Sequence, residues 1–375
     1  MLSIVIEKED QLNALLPKER LTGLPSHALL AAASVWSHGV WEAALAQGPF
    51  VLTGETQKKG FGLAARPVFI CGVHRSGTTL VRDLLDGHEA MVVLPSEGTY
   101  FTNLEGKLLS LPPGERAGFL CQEWLCRLAN PINQPPYWLL GRSTASLSPY
   151  VDFAWYFLAW WAALKKDTNT QWPHMTVVMA YASCTGNLFA GMWVDKTPCN
   201  ERFLGRIWRE MPNARIIHVV REPTATLASR KSMEPGLNKR RVLRELKKSF
   251  QVAVDYCLRN DPQFLLVRYE ELCENPNKVV GDIASFLHIG VLPVLTIPTV
   301  ASMPAYANSS FSHKAAAGRI LKQAEHLQSN ALPTLEQQLL AAYLGKLSAR
   351  LGYKLPNIGF MQKFFLLIKY RLLWR

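Results

Sequence analysis

The sequence contains no C-x-x-C pair and no H-E-x-x-H run. Its 7 cysteines, at positions 71, 121, 126, 184, 199, 257 and 273, are scattered and odd in number. That argues against a disulfide framework and a zinc site, and for a reducing compartment. The "HEA" at His88 lacks a second histidine at ligand spacing, so no metal is expected. Long apolar runs are also missing. "HALLAAASVWSHGVWEAALAQ" (27–47) is broken by histidines and a glutamate, and "FAWYFLAWWAAL" (153–164) is too short to span hydrocarbon, so both read as buried helices. "MLSIVIEKED" meets acids too early for an export signal, and a cytoplasmic chain is the expectation. Finally, acids are in deficit: 29 Asp and Glu against 41 Lys and Arg leave a formal charge of +12, which favours an anionic partner.

What is present is a chain of 375 residues, 49% apolar, enough for a substantial core. Residues 1–66 read as a helical extension ending in a polar loop or linker, "TGETQKKGFG". The pattern then changes. "RPVFICGV" is a continuous apolar run stopped by glycine, as in a strand buried on both faces of a parallel sheet. "TTLVRDLLDG" follows with helical spacing, and "MVVLPSE" reads as another strand. Residues 100–190 are rich in aromatics and prolines and read as a mostly helical insertion on the substrate side. From residue 193 the pattern predicts a turn at "WVDKTPCN", a helix to about Met211, the strand "ARIIHVV" and a helix after Pro223. A long basic helix, the strand "QFLLVR" and the helix "PNKVVGDIASFLHIG" complete the alternation. The expected fold is α/β: a three-layer P-loop-like domain over 67–355 with a mainly parallel central sheet flanked by helices, then a basic tail at 356–375.

The segment "CGVHRSGTTL" (71–80) has the glycine spacing of a P-loop, but Thr78 stands where that loop carries lysine. Strand, glycine loop and helix together aim backbone N–H groups at an anion. Gly72 and Gly77 permit left-handed backbone, Ser76, Thr78 and Thr79 add hydroxyl donors, and Arg75 adds a fork suited to phosphate or sulfate oxygens. Farther along, "IIHVV" delivers Arg221 to the carboxyl end of a buried strand, where ligands collect in open α/β sheets. Ser229 lies two turns into the next helix.

"GVHRSGTTLVRDLL" followed by "ARIIHVVREPTATLAS" resembles the two nucleotide motifs of sulfotransferases that use 3′-phosphoadenosine 5′-phosphosulfate (PAPS), closest in pattern to the tyrosylprotein and bacterial branch. The resemblance implies that Arg75, Ser76, Gly77, Thr78 and Thr79 hold the 5′-phosphosulfate, with Arg75 near the sulfuryl end, and that Arg221 and Ser229 hold the 3′-phosphate. It also explains the missing lysine: a Walker lysine serves a β,γ-phosphate pair beside Mg²⁺, whereas PAPS has no γ-phosphate and the family needs no metal. Glu97 resembles the family's catalytic base, although set one residue further from the loop arginine than usual, and Lys196 in "DKTP" resembles the residue that meets the bridging oxygen. Lys314, in "NSSFSHKAAAGRI" (308–320), is a further nucleotide candidate.

The implied reaction is transfer of a sulfuryl group to a hydroxyl or amine of a small molecule, lipid, sugar or peptide, releasing adenosine 3′,5′-bisphosphate. Such a transfer needs an in-line acceptor, a base for its proton and positive charge on the departing oxygen. Two histidines compete with Glu97 as the base: His88 at the end of the loop helix, and His218 within a central strand, where a core role fits better. A P-loop kinase or NTPase is an alternative, but it needs the lysine that is absent. The tail "FMQKFFLLIKYRLLWR" mixes bulky apolar and basic residues as interfacial helices do, which keeps peripheral membrane contact open. No basic motif interleaved with aromatics is present, so no nucleic-acid partner is expected.

Overall fold

The computed structural model describes residues 26–129, 140, 148–164, 172–234, 236–305, 317–321 and 332–373. Helices α1 (Ser26–Ala46) and α2 (Gly54–Ala64) precede strand β1 (Pro67–Cys71) and helix α3 (Thr78–Leu85). Strand β2 (Met91–Val93) leads through a π-turn at Tyr100–Leu104 into α4 (Glu105–Ser110), α5 (Arg116–Ala129), α6 (Ser148–Leu164) and α7 (Trp172–Cys184). Strand β3 (Met192–Lys196) is followed by α8 (Leu204–Glu210), and β4 (Arg215–Val220) by α9 (Pro223–Met233) and α10 (Lys239–Arg259). After β5 (Phe264–Arg268) come α11 (Tyr269–Glu274), α12 (Pro276–Leu287) and a small antiparallel hairpin, β6 (Thr299–Val300) and β7 (Met303–Pro304). Helices α13 (Thr334–Arg350) and α14 (Phe360–Leu373) close the chain.

The five long strands form one parallel sheet in the order β2-β3-β1-β4-β5. All five residues of β1 are buried, the continuous apolar reading expected of a strand covered on both faces. The pleat divides them: Val68 and Ile70 join Ile217 and Val219 against α3 and α12, whereas Phe69 and Cys71 join Ile216 and Trp193 in a larger cluster with α6 and α7. Phe69 is fully buried, which contributes up to about 3 kcal/mol on transfer grounds. The result is the expected three-layer α/β architecture.

The strand order also places the site. From β1 the chain runs to one side of the sheet, and from β4 to the other, so β1 and β4 flank a topological switch point. Ligands in open parallel sheets bind at the carboxyl end of such a point. The loop 72–77 leaves β1 there, and Arg221 leaves β4 beside it.

Two expectations are corrected. "TGETQKKGFG" is not a linker but helix α2: Thr53 caps it, accepting from the Thr56 N–H at 3.2 Å, and Glu55 sits in its first turn. A Cβ at Gly60 would lie 2.2 Å from the Trp160 ring, so glycine there lets α2 pack on α6. Likewise, the turn expected at "WVDK" is strand β3, fully buried between β2 and β1. Its two charges disguise it, because Asp195 and Lys196 occupy its carboxyl end, where partners satisfy them. The long basic stretch after Ser229 is also less available to an acidic substrate than its composition implies. Arg230 and Arg241 pair with Glu245, and Lys231 and Lys239 with Glu336.

Candidate active site

The loop after β1 is built for a close backbone approach. Gly72, Arg75 and Gly77 all have left-handed φ, at 139°, 71° and 99°. A Cβ at Gly72 would meet the Val219 carbonyl at 2.3 Å, and one at Gly77 would meet the Tyr269 ring at 2.2 Å. Alternating backbone of this kind turns successive N–H groups to one side, as anion-binding nests do. Thr78 and Thr79 then open α3, whose N-terminus adds its dipole. The loop's root is held from β3's side: the Cys199 N–H donates to the Gly72 carbonyl at 2.8 Å, and the Gly72 N–H donates to the buried Glu201 carboxylate at 3.1 Å.

The two motifs meet. Arg75 Nε donates to Ser229 Oγ at 3.1 Å, and Arg221 Nη1 donates to the Arg75 carbonyl at 3.3 Å. Arg221 lies over the Tyr269 ring with its guanidinium carbon 4.6 Å from the centroid. Burial, and then the neighbouring Arg221 charge, hold the Arg75 guanidinium below the usual arginine range. Among the described residues neither arginine has an ion-pair partner, and both Arg75 Nη2 and Ser76 Oγ are buried without a hydrogen bond. Two adjacent cations and two orphaned donors fit a site completed by an anion.

Next to this lies a second group at the ends of β2 and β3. Lys196, almost wholly buried, donates to Glu97 Oε1 at 2.6 Å. Burial pushes Glu97 up, but the Lys196 charge and hydrogen bond outweigh it and hold the carboxyl below the usual range. Burial lowers Lys196 in turn, against the pull of Glu97. The turn carrying Glu97 is fixed on three sides. Arg82 Nη1 donates to the Pro95 carbonyl at 2.8 Å, Arg127 donates to the carbonyls of Glu97 and Gly98, and Asp195 Oδ1 accepts from the Gly98 N–H at 3.1 Å. Thr197 Oγ1 donates to Asp195 and accepts from the Thr99 N–H at 2.8 Å.

Thus Arg75, Ser76, Gly77, Thr78, Thr79, Arg221 and Ser229 gather on one side, with Glu97 and Lys196 on the other. The Arg75 side chain rests on Ser229 rather than on the Glu97–Lys196 pair. Lys314 lies outside the described residues. His88 lies before β2, at the amino end of the sheet and away from the loop, its Nδ1 accepting from the Ala90 N–H and its Nε2 donating to the Gly290 carbonyl. His218 is fully buried and shares a hydrogen bond of 2.8 Å with Ser249, and burial pushes its pKa down to about 3. Sequence reasoning missed Arg127, Asp195, Thr197 and Glu201, whose roles come only from contacts across the fold. It also passed over His74, in the loop itself, where a histidine beside the arginine was the available signal. His74 is shifted down by burial and feels the charges of Glu97 and Lys196.

The sequence matches a sulfotransferase family profile over residues 67–292, and the chain belongs to that family. No curated protein matches it. Among solved structures, a sulfotransferase domain from the curacin biosynthetic pathway is 21% identical with a TM-score of 0.42, covering 77% of this chain and 98% of that one. One from the Synechococcus PCC 7002 olefin synthase is 18% identical with a TM-score of 0.39, covering 82% and 94%. The sulfotransferase STF9 from Mycobacterium avium is 17% identical with a TM-score of 0.41, covering 81% and 82%.

Proposed function

We propose that this sulfotransferase uses PAPS as donor and passes its sulfuryl group to a hydroxyl or amine. The observation that carries the reading is the junction of Arg75, Arg221 and Ser229, two cations without an ion-pair partner among the described residues and a hydroxyl, brought together at the switch point. A 3′-phosphate supplies the charge that this junction lacks, and the loop N–H groups with Ser76, Thr78 and Thr79 suit the 5′-phosphosulfate. The donor would be held between the two motifs. The phosphoryl-transfer alternative is not favoured, since Thr78 replaces the lysine that a β,γ-phosphate pair requires.

In the reaction the acceptor oxygen or nitrogen attacks sulfur as the bond from sulfur to the bridging oxygen breaks, and adenosine 3′,5′-bisphosphate leaves. Glu97 takes the acceptor's proton, and the Lys196 ammonium meets the charge that develops on the departing oxygen. Their ion pair links the two roles: when Lys196 turns toward the donor's charge, Glu97 loses the partner that holds its pKa down and becomes a better base. Titration calorimetry with adenosine 3′,5′-bisphosphate, AMP and ATP tests the donor assignment. Tight binding of the bisphosphate alone supports it, and equal or preferential binding of ATP would defeat it.

A further inference from the structure

Helix α14 is apolar on two faces, and only one is covered. Leu366 is buried and Leu367 half-buried against the cluster that includes Leu339, Leu340 and Leu344 of α13. The other side carries Phe360, Met361, Phe364, Phe365 and Ile368, exposed by 83%, 62%, 54%, 61% and 41%. Their spacing, i, i+1, i+4, i+5 and i+8, puts them on one side of the helix. Packing on α13 therefore leaves a row of bulky side chains in water, at a cost of roughly 25 cal/mol for each Å² of apolar area left exposed. Contiguous patches of this kind mark interaction surfaces.

Charge decides between occupants. After Glu336 the sequence contains no acid, while Lys346, Arg350, Lys354, Lys363, Lys369, Arg371 and Arg375 are all basic. A second copy of this chain would bring the same uncompensated positive charge to the contact, so self-association through α14 is opposed by repulsion. An anionic bilayer offers the complement to both features: acyl chains for the aromatic row and headgroup charge for the lysines and arginines. We infer that α14 is an interfacial helix that docks the protein on an anionic membrane surface through Phe360, Met361, Phe364, Phe365 and Ile368. The helix lies in the plane of the interface, anchored from behind by α13. It does not cross: among the described residues no helix is long and apolar enough to do so.

The test is co-sedimentation of the full chain with vesicles of phosphatidylcholine alone and of an equimolar mixture with phosphatidylserine. Binding is expected on the mixed vesicles, weak on the neutral ones, and reduced by added salt. One basic residue near such a surface is worth about 1 kcal/mol, so Lys363→Glu, which removes one charge and adds its opposite, is expected to lower partitioning by at least about fivefold. The double substitution Phe364→Ser and Phe365→Ser is expected to abolish binding without lowering the melting temperature, since both side chains face solvent. Equal binding to both vesicle types, or binding that survives the double substitution, overturns the proposal. So does absence of vesicle binding accompanied by a dimer, seen by light scattering, that the double substitution dissolves.

Discussion

Arg75 and Ser229 are 154 positions apart in the chain and joined by a hydrogen bond of 3.1 Å. The bond closes the β1 loop onto helix α9, and Arg221 reinforces the closure by donating to the Arg75 carbonyl. Two cations are therefore held side by side at the carboxyl end of the sheet, a costly arrangement that an anion relieves.

Replacing Arg221 with Ala tests which anion. A hydrogen bond to a charged group contributes about 1.5–3 kcal/mol, so affinity for adenosine 3′,5′-bisphosphate should fall by roughly 10- to 100-fold, while AMP, lacking the 3′-phosphate, changes little. Calorimetry on the two nucleotides reads the difference. An equal loss for both would mean that Arg221 acts through the loop rather than on a phosphate.

The Glu97–Lys196 pair makes a prediction about acid pH. Glu97→Gln should lower kcat by about 10²–10⁴-fold and leave bisphosphate affinity nearly unchanged. Because Lys196 is what holds Glu97 down, the acid limb of kcat/KM in the wild type should fall below the ordinary carboxylate range. In Lys196→Met that counter-charge is gone and burial dominates, so the limb should move up in pH, along with a lower kcat from the lost charge on the departing oxygen. If Lys196→Met leaves the limb in place, Glu97 is not the titrating base, and His74, within reach of the same charges, becomes the group to replace next.

Gly77 is held by two constraints that separate experimentally. Alanine there must adopt a φ of 99° and also push a Cβ into the Tyr269 ring. The backbone part costs roughly 1–3 kcal/mol. Gly77→Ala should lower the melting temperature and weaken bisphosphate binding. Adding Tyr269→Ala, which removes the ring atoms that a Cβ at Gly77 meets, should recover part of the stability loss, by relieving the contact but not the φ. Complete recovery would show that sterics alone demand the glycine.

The parts of the fold that sequence periodicity reveals are those where one face, or both, is uniformly apolar. β1, β4 and α10 are of that kind, and so is the glycine loop, whose spacing is local. β3 was hidden because Asp195 and Lys196 are buried charges, and a buried charge is intelligible only through its partners, Gly98 and Glu97, in the turn after β2. Helix α2 was hidden for the opposite reason: its polar sequence is ordered by the Thr53 cap and by Gly60 beneath Trp160, neither of which is a periodic signal. At the site, motif order implied that the two loops meet, but the resemblance set Arg75 at the sulfuryl end, so its hydrogen bond to Ser229 comes from the fold alone; the clasp of Arg82, Arg127 and Asp195 around the Glu97 turn likewise depends on side chains from three separate elements.

The last prediction concerns what keeps Ser229 in register. Helix α9 is tied to α10 by Arg230 and Glu245, a nearly buried ion pair at 2.7 Å, and Arg241 donates to the second Glu245 oxygen at 2.9 Å. Burial raises the Glu245 carboxyl, but the hydrogen bonds from Arg230 and Arg241 outweigh it and leave the carboxyl below the ordinary value. A depressed folded-state pKa stabilises the protein above the unfolded value, near 4.3 for glutamate, and that stabilisation is lost as pH falls through the folded value. Glu245→Ala leaves Arg230 only its more exposed partner Glu234 and should cost less at neutral pH than the about 3–5 kcal/mol of a fully stranded buried charge. Denaturant melts across pH should show the variant's deficit shrinking as the medium becomes acid, because the wild type loses the same interaction by protonation. A deficit independent of pH would mean that packing, and not the ion pair, joins α9 to α10.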